Sequence, residues 1–548
     1  DLQTIGLEQY IKLLDEKNQI IIHLVNDNIE LKEQNLSRLA KSKITPSPKD
    51  FTEVIPPEVN IGKKQWIIFC KKNTRNLQDL IEKINNFNGK VIIDDEADYA
   101  SPNSKINKGI QSKINELVGK LIEQGGIYIG VTATPDRLHL NKTFDNDPSN
   151  WVLFEPHSHY QGKDYYFPID RKKDLEFTLV GFSDEADISK KIIEAALRFI
   201  VKASFINVTI YKEDERGFSM LIHTAGEIVK HQEDYKLIQN LINTLSDKEN
   251  PKHEKLWERV EKLTLEMYPE KAKEVLDYTY FNIGRHTTVE MNSTNSASFK
   301  FATNPEMPFT FVFGGNIISR GLTFNNLLCM FFARAAKTTQ ADTYIQRARM
   351  FGARGELAKY FELHIPFELY EQWWRCFWNH RIGLRSITNG YAVPVAVGSS
   401  KHKIRPAASS SIDKMHLNMD KGEIYWKKFK YTDEIKSIQN KLNLSDIEKL
   451  KNIQMVAGDE VISDDMIDMI GVNESDFDDK SVVLHDAISI VKYESGETNE
   501  KEITRERGFI GSAGKIEKKK YPDALHHFFI FTNSENEGRI YYKHAGFG

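Results

Sequence analysis

The sequence predicts an α/β protein with two successive parallel sheets, each covered by helices, and an α+β region at the carboxyl end. Short apolar runs rich in β-branched residues, such as residues 20–25 and 65–70, alternate with helical segments. This alternation is typical of buried parallel strands joined by crossover helices. It stops over residues 140–190 and then resumes. The 548 residues, 40% hydrophobic and 28% charged, suffice for three or four domains of roughly 100–200 residues with full cores.

The first predicted domain covers residues 1–150. Apolar spacing predicts its elements in order: a helix near 5–16, strands at 20–25 and 65–70, a helix near 77–84, a strand from residue 90 that ends in carboxylates, a helix near 108–123 and a strand at 127–135. Open parallel sheets bind ligands at the carboxyl ends of their strands, so the residues that follow each strand are candidate site residues.

Residues 151–189 are predicted to form a crossover between the two sheets. The second domain is predicted over residues 190–366, with a charged helical insertion at about 227–300. Its strands are predicted at 218–225, 309–316, 327–334 and 360–366. The C-terminal domain, residues 367–548, begins with a Trp-rich helix at 368–382 and is expected to bind nucleic acid or a partner.

Composition argues against several classes of protein. The three cysteines, Cys70, Cys329 and Cys376, are widely separated, which argues against a disulfide framework or a Cys-rich zinc site and favours the cytoplasm. No apolar run approaches the roughly 18 residues of a membrane-spanning helix, and no charged-then-apolar leader opens the chain. We therefore expect no membrane partner. The formal net charge of −4 excludes a uniformly basic nucleic-acid coat but permits a local basic channel.

The strand that begins at residue 90 ends in a carboxylate cluster, Asp94-Asp95-Glu96-Ala97-Asp98. A magnesium nucleotide needs a carboxylate to hold the metal or its waters, and attack on the γ-phosphate needs a group that positions water. Asp95, as the metal carboxylate, and Glu96 fit these two roles. A solvated acidic turn after a strand is the alternative interpretation.

Three later segments also follow predicted strands. They are residues 132–135 (TATP), 314–322 (GGNIISRGL) and 346–354 (QRARMFGAR). Threonine hydroxyls can bond the neighbouring acidic motif, glycines permit a tight turn, and arginine pairs bidentately with phosphate. Each segment also has an ordinary interpretation: a polar strand exit, a loop with a surface arginine and a basic amphipathic helix.

The order of these four segments resembles that of the superfamily-two helicases and translocases, over roughly residues 1–366. In that family two RecA-like domains sandwich ATP. The resemblance implies that Asp95 and Glu96 are the magnesium and hydrolysis carboxylates. It also implies that Thr132 and Thr134 couple hydrolysis to motion.

The same resemblance implies that the second domain contributes to the nucleotide site. Gly315 and Arg320 lie in the motif near nucleotide and nucleic acid, and Gln346, Arg349 and Arg354 match the final motif. The spacing of this last motif is irregular, so the choice between Arg349 and Arg354 as the arginine finger stays open.

Residues 314–324 (GGNIISRGLTF) and 344–354 (YIQRARMFGAR) also resemble the Z-one domain family, as do residues 159–167 and 219–225 with the following His231. Members of this family are described as endonucleases encoded in bacterial restriction-like and anti-phage operons. Such operons also encode a MutL/Hsp90-type ATPase and a PD-(D/E)xK-type nuclease. The resemblance therefore implies a role in anti-phage defence with these two partners.

One part of the helicase pattern is missing, because no G-x-x-x-x-G-K-[ST] motif occurs in the sequence. The segment 508–516 (GFIGSAGKI) has the wrong spacing and Ile516 where Ser or Thr would hold magnesium. In the family the phosphate loop immediately precedes the first helix, which here begins within a few residues of Asp1. We therefore expect the loop and its lysine upstream of Asp1; a degenerate, inactive ATPase is the alternative.

A local basic region follows the final motif. Residues 331–405 hold twelve Lys or Arg against five Asp or Glu, an arrangement that can track the phosphates of DNA. The expected nucleic-acid contacts are Arg375, Arg381, Arg385, Lys401 and Lys403, together with Gln34 and Arg38, which match a family motif that touches DNA. The interleaved tryptophans 373, 374 and 378 are expected to pack in the core.

Three functional hypotheses follow. The favoured one is an ATP-dependent DNA translocase that uses Mg²⁺. The second is a metal-dependent DNA endonuclease, and the third is a non-catalytic module that assembles a partner ATPase or nuclease. No convincing nuclease site supports the second hypothesis, since Glu517 and Lys519 precede Asp523 in the wrong order and the paired histidines at 157/159 and 526/527 lack a clear third ligand.

Overall fold

The computed structural model describes residues 20–544 with internal gaps. The gaps are residues 54–65, 85–88, 124, 145–149, 170–172, 184–185, 226–227, 292–298, 315–323, 335–338, 389–403, 406–422, 459–460, 463–465, 468–469, 471–481, 490–518 and 525. The predicted helix at 5–16 and the segment 508–516 lie outside the described residues. Within the described part of the chain, no helix combines the length and the apolar character needed to cross a membrane.

Contacts divide the chain into two units. The first comprises residues 1–396 and 404–413, and the second comprises residues 397–403 and 414–548. The first unit contains two parallel sheets. We call the part built on the sheet of residues 20–131 the first lobe, and the part built on the sheet of residues 178–366 the second lobe.

The first lobe is a five-stranded sheet in the order β2-β3-β1-β4-β5, with every pair parallel. Its strands are β1 (Ile20–Val25), β2 (Lys49–Asp50), β3 (Trp66–Lys71), β4 (Lys90–Asp95) and β5 (Ile127–Val131). Its helices are α1 (Ile29–Lys41), α2 (Thr74–Ile84), α3 (Lys113–Glu123) and α4 (Pro135–Asn141). All six residues of β1 are buried, as a central strand requires. In α2, Leu77, Leu80 and Ile84 are buried at helical spacing, which fixes the face that packs on the sheet.

The second lobe is built on a six-stranded parallel sheet in the order β7-β14-β11-β8-β10-β9. Its strands are β6 (Tyr160–Gln161), β7 (Thr178–Phe182), β8 (Phe218–His223), β9 (His286–Met291), β10 (Phe309–Gly314), β11 (Leu327–Phe332), β12 (Thr339–Gln340), β13 (Gly352–Ala353), β14 (Glu362–Pro366) and β15 (Ile404–Arg405). Two further short ladders pair β6 with β13 and β12 with β15.

Helices of the second lobe include a long central helix and the predicted charged insertion. They are α5 (Lys163–Tyr166), α6 (Ile188–Thr209), α7 (Ile228–Ser246), α8 (His253–Met267), α9 (Ala272–Asn282), α10 (Phe299–Thr303), α11 (Ala341–Arg347) and α12 (Phe367–Thr388). The insertion is helical through α9, and the chain then returns as edge strand β9. Strand β7, at the other edge of the sheet, lies in the segment predicted as a crossover.

The Trp-rich helix α12 differs from its predicted place at the start of a C-terminal domain, because it belongs to the first unit. Its tryptophans are buried, with Trp373 fully enclosed and Trp374 donating from Nε1 to the Pro168 carbonyl at 2.8 Å. The rings of Phe167 and Phe332 pack against the Trp373 ring in tilted arrangements. The expected core role of the tryptophans is therefore confirmed.

The second unit is a small α+β body. Its strands are β16 (Glu423–Tyr425), β17 (Phe429–Lys430), β18 (Val482–Leu484), β19 (Ile488–Ser489), β20 (His526–Thr532) and β21 (Glu537–His544). Its helices are α13 (Asp433–Gln439) and α14 (Asp446–Ala457), the latter begun by a Ser445–Glu448 capping box. Antiparallel β20 and β21 form its centre. The predicted α/β class, with two successive parallel sheets and an α+β region, is thus confirmed.

Candidate functional site

The direction of the chain reverses between β1 and β4, which are neighbours in the first sheet. From β1 the chain runs to β2 and β3 on one side, and from β4 it runs to β5 on the other. A reversal of this kind opens a crevice at the carboxyl ends of the two strands, where open parallel sheets bind ligands. Asn26, just after β1, donates from Nδ2 to Glu96 Oε2, just after β4. The two strand ends therefore meet at this crevice.

The acidic motif turns sharply as it leaves β4. Glu96 has a φ of +48°, in the left-handed region that non-glycine residues seldom adopt. Its backbone N–H donates to Asp95 Oδ1 at 3.1 Å, and Asn35 on α1 donates to Asp95 Oδ2 at 3.3 Å. Both carboxylates remain partly exposed. The turn therefore presents Asp95 and Glu96 side by side at the crevice.

Beneath this turn, Lys72 is completely buried and is paired with Asp94, which is also fully buried. Lys72 Nζ lies 2.9 Å from Asp94 Oδ1 and donates to the carbonyl oxygens of Asp95, Glu96 and Tyr99 at 2.8, 2.8 and 2.9 Å. Ser101 and Tyr128 donate to the other Asp94 oxygen at 2.6 and 2.7 Å. Asp94 is thus a structural carboxylate. Lys72 follows an apolar strand, and no sequence motif identified it.

Asp98 links the two lobes. It is 1% exposed and accepts hydrogen bonds from Thr132 Oγ1 at 2.8 Å and from Gln346 Nε2, on α11 of the second lobe, at 2.5 Å. Gln346 Nε2 also lies 3.2 Å from Thr134 Oγ1, and the backbone N–H of Thr134 donates to Thr132 Oγ1 at 2.9 Å. The acidic motif, the two threonines and the final motif therefore converge on one network, in which Asp98 was not a predicted site residue.

Helix α12 packs against the segment that carries these threonines. His380 donates from Nε2 to the Ala133 carbonyl at 2.8 Å, and burial lowers the pKa of His380 to about 3, so the ring is neutral. Gly383 allows the close approach of α12, since a Cβ there would lie 2.7 Å from Asp136 Oδ1. The position of Thr132–Thr134 is therefore set partly by the second lobe.

Two buried carboxylates lie at the same contact between the lobes. Burial, reinforced by the charge of Asp342, raises the pKa of Asp136 to about 7. Burial also raises the pKa of Asp342, with the charge of Asp98 adding to the effect and Arg137 opposing it. Arg137 Nη1 lies 3.7 Å from Asp342 Oδ2. The contact is therefore sensitive to protonation.

The arginines of the final motif take different places. Arg354 donates to the carbonyl oxygens of Leu327 and Met350, at 2.6 Å from Nη1 and 2.8 Å from Nη2, and its guanidinium lies 5.0 Å from the Phe361 ring centroid. Its guanidinium thus contacts several parts of the second lobe, and its assignment as a candidate finger stays a prediction. Arg349 is half-buried in the turn after α11, where its charge opposes the burial that raises the pKa of Tyr160. Arg349 also stays a candidate.

Two residues of the predicted basic channel are tied into helix packing. Arg381, 9% exposed, donates from Nε to Asp164 Oδ1 at 2.8 Å and from Nη2 to the carbonyl oxygens of Lys163 and Phe167. Arg375 pairs with Glu371, one turn earlier on α12, at 3.0 Å. In this structure the charge of Arg381 joins α12 to α5, and its assignment to nucleic acid stays a prediction.

The remaining predicted contacts differ in how far the structure describes them. Arg38 is exposed in the last turn of α1. Gln34 lies on the same helix and Arg385 on α12, but their side chains are outside the described part. Gly315, Arg320, Lys401 and Lys403 also lie outside it. The roles predicted for all these residues stay predictions.

Among the described residues, one group has the spacing of metal ligands: Cys329, Glu362 and His364, all buried. Glu362 is already held by two cations. Arg198 Nη2 lies 2.5 Å and Lys202 Nζ 2.9 Å from Glu362 Oε1. A metal ion would have to enter beside these two positive charges, so the chemistry of the cluster does not fit a cation site.

Comparison with known proteins gives one family match. Residues 191–389 match the model of the Z1 domain, which confirms for this stretch the resemblance seen in the sequence. No curated protein sequence matches the chain.

Several solved structures are similar to the chain. The chain is similar to S. cerevisiae Dbp5 bound to RNA and ADP BeF3, with 11% identity, a TM-score of 0.34, and coverage of 72% of this chain and 81% of that one. It is similar to the NS3-like helicase from Alongshan virus, with 10% identity, a TM-score of 0.33, and coverage of 75% and 80%. It is also similar to the Escherichia coli DEAH/RHA helicase HrpB, with 13% identity and a TM-score of 0.35. That match covers 68% of this chain and 40% of HrpB. These low identities and TM-scores support no conclusion about activity.

Proposed function

We propose that the protein is a motor that hydrolyses ATP between its two lobes and moves along DNA. The observation that carries this proposal is the contact of Gln346 with Asp98 and Thr134. It joins the acidic motif of the first lobe to the final motif of the second at the carboxyl edge of the first sheet. A ligand in the adjoining crevice is therefore in a position to alter the packing of the lobes.

The residues at the crevice fit a magnesium nucleotide. Carboxylate oxygens are the ligands that Mg²⁺ prefers, and Asp95 offers a partly exposed carboxylate at a strand end. When bound, Mg²⁺ would neutralise charge on the phosphates. In the reaction a water oxygen bonds to the γ-phosphorus as the bond to the β,γ-bridging oxygen breaks. Glu96, held by Asn26, orients that water and accepts its proton.

The second lobe contributes positive charge and carries the coupling. Arg349 is the proposed arginine finger, and Gly315, Arg320 and Gln346 complete the nucleotide side of this lobe. Loss of the γ-phosphate changes the charge balance beside Asp98, whose partners Thr132 and Gln346 belong to different lobes. The Asp98 network is thus the proposed element that converts hydrolysis into movement of the lobes.

DNA is the proposed track, and Arg38 is the described residue that we place on it. Its exposed guanidinium lies on α1, the helix that also donates to Asp95 through Asn35. A DNA contact on α1 would therefore be one helix turn from the reaction site. We place the motor in a restriction-like anti-phage system, with a MutL/Hsp90-type ATPase and a PD-(D/E)xK-type nuclease as partners. This setting rests on the resemblance to the Z-one domain family, and the Z1 model match over residues 191–389 supports that resemblance only.

The test is steady-state ATP hydrolysis by the full-length protein, with and without duplex DNA, for the wild type and Glu96→Gln. We expect DNA-stimulated hydrolysis that falls at least about 100-fold in the variant, since the group that orients the water is lost. Binding of ATP should persist, because the amide is nearly the same size as the carboxylate.

Two outcomes would overturn the proposal. Magnesium-dependent DNA cleavage without ATP that survives Glu96→Gln would identify an endonuclease. Absence of nucleotide binding by the full-length protein would identify an assembly module.

A further inference from the structure

We infer that Lys72 is a positioning residue for the reaction: its buried ammonium fixes the turn in which Asp95 and Glu96 face the crevice. This inference rests on the proposed ATPase activity. Lys72 donates hydrogen bonds to three backbone carbonyls within residues 95–99. Two of these carbonyls belong to Asp95 and Glu96, the proposed catalytic pair. The resemblances to the superfamily-two helicases and to the Z-one domain family imply no role for this lysine.

Lys72 directly follows β3, a strand that is not a neighbour of β4, from which the turn leaves. β3 and β4 are separated by β1, and the backbone N–H of Lys72 donates to the Val25 carbonyl at the end of β1 at 2.7 Å. The side chain then spans the width of β1 to reach the end of β4. One residue therefore ties together the ends of three strands, including the two that border the crevice.

The contacts explain an otherwise costly backbone conformation. Glu96 has a φ of +48°, which places its Cβ close to the following carbonyl in an L-residue. Strained conformations persist where the surroundings over-determine them, and they concentrate at active sites. The charge-assisted bonds from Lys72 to the Asp95 and Glu96 carbonyls hold this conformation from below, while Asn26 holds the Glu96 carboxylate from above.

Removal of the ammonium should let Glu96 relax to a negative φ and move its carboxylate away from Asn26. Catalysis is sensitive to such a shift, because misplacement by about 1 Å can cost roughly 100-fold in rate. Binding of ATP depends much less on the direction of this one carboxylate. The expected signature is therefore a fall in kcat with little change in KM.

The experiment uses the full-length double variant Lys72→Met/Asp94→Asn. The single variant Lys72→Met would leave the Asp94 carboxylate buried without its cation and could fail to fold, whereas the double variant is neutral. Ser101 and Tyr128 can still donate to the carbonyl oxygen of an asparagine at position 94. We expect kcat to fall about 10- to 100-fold, with KM for ATP within about twofold of wild type.

Lys90 provides a matched control. It is also fully buried, but it lies at the amino end of β4, away from the turn. Lys90→Met should lower the melting temperature while leaving kcat per folded molecule unchanged. A crystal structure of the double variant adds a readout independent of activity, in which we expect Glu96 at negative φ and its contact with Asn26 lost.

The outcomes separate the inference from the proposed function. If the wild-type protein hydrolyses no ATP, the proposed function fails. If the wild type is active and the folded double variant has the same kcat, or if its Glu96 keeps the left-handed conformation, Lys72 does not position the site.

Discussion

Of two buried charge clusters, one lies at the carboxyl ends of its strands and the other at the amino end of its strand. In the first lobe, Lys72 and Asp94 are at the carboxyl ends of β3 and β4, directly under the acidic motif. In the second lobe, Glu362 is the first residue of β14, at the amino end, where Arg198 and Lys202 of α6 reach it. Both clusters neutralise a carboxylate that is 1% exposed or less.

The two clusters are expected to have different roles: the first supports the proposed reaction site, and the second stabilises the fold. Ligands of open parallel sheets bind at the carboxyl edge, so Lys72 can act on a reaction through the turn that it holds. Glu362 lies at the amino end of its strand and bonds side chains from its own lobe. Although both carboxylates are equally deeply buried, we therefore expect different consequences when each cluster is broken.

The largest effect on stability is expected from Glu362→Gln. The substitution leaves Arg198 and Lys202 without their buried counter-charge, and breaking a buried pair in this way typically costs about 3–5 kcal/mol of unfolding free energy. The hydrolysis rate per folded molecule should not change. Urea unfolding measures the loss, and Glu368→Gln on the exposed start of α12 is the control.

The pH dependence gives the same prediction a second test. Burial alone would raise the pKa of Glu362, but the hydrogen bonds from His364 and Arg198 and the charge of Lys202 lower it overall. A lowered pKa contributes stability that is present above the ordinary value near 4.5 and is lost as the pH falls through the lowered pKa. The Gln variant should therefore lose part of the acid dependence of unfolding. Identical acid dependence would contradict the buried-pair interpretation.

A pH-dependent effect of opposite sign is expected for Asp136→Asn. The pKa of Asp136 is raised to about 7, so its contribution to stability is complete below its ordinary value near 4 and is lost as the pH rises through about 7. At pH 8 the unfolding free energy of the variant should exceed that of the wild type by up to about 4 kcal/mol, which is the free-energy equivalent of the pKa shift of Asp136. Near pH 4 the difference should vanish. Thermal melts across this pH range measure the difference in stability. An equal stabilisation at about pH 4 and pH 8 would show that the raised pKa of Asp136 is not its cause.

Sequence patterns were sufficient for the sheets because buried parallel strands need continuous apolar runs. For this reason β1 has its predicted bounds, and β8 and β11 begin where predicted and end two residues earlier than predicted. The acidic motif was equally visible, since carboxylates after an apolar strand are conspicuous. The edge strand β7 was missed because its residues are only partly buried and it follows an irregular segment.

Lys72 and Arg381 show where sequence reasoning ends. A lysine after a strand is normally solvated, and nothing local indicates that β1 lies between β3 and β4. Likewise a basic helix predicts a nucleic-acid surface, but the burial of Arg381 is set by α5, some 200 residues earlier in the chain. In both cases the partner is supplied by tertiary packing, which local spacing does not encode.

A smaller effect, on catalysis, is expected from Gln346→Ala. The variant loses the two hydrogen bonds that join the lobes through Asp98 and Thr134, worth about 1–2 kcal/mol, or roughly 10-fold in kcat. The control is Gln239→Ala, because Gln239 also bonds a threonine, Thr288, at 2.6 Å, but within the second lobe. Equal effects on kcat from the two variants would show that the contact between the lobes has no special role.

The smallest effect is expected from Asp164→Asn, which tests an ion pair that is buried on one side only. Arg381 is 9% exposed but Asp164 is 71% exposed, so the loss should be at most about 1 kcal/mol, as for surface pairs. Arg381→Met should cost more, because the carbonyls of Lys163 and Phe167 also lose their donor. Neither variant should change the salt dependence of DNA binding, whereas Arg38→Ala should lower its slope by about one unit. If Arg381→Met folds normally and lowers the slope as well, Arg381 belongs to the DNA surface after all, and burial in an ion pair would be no guide to which arginines bind DNA.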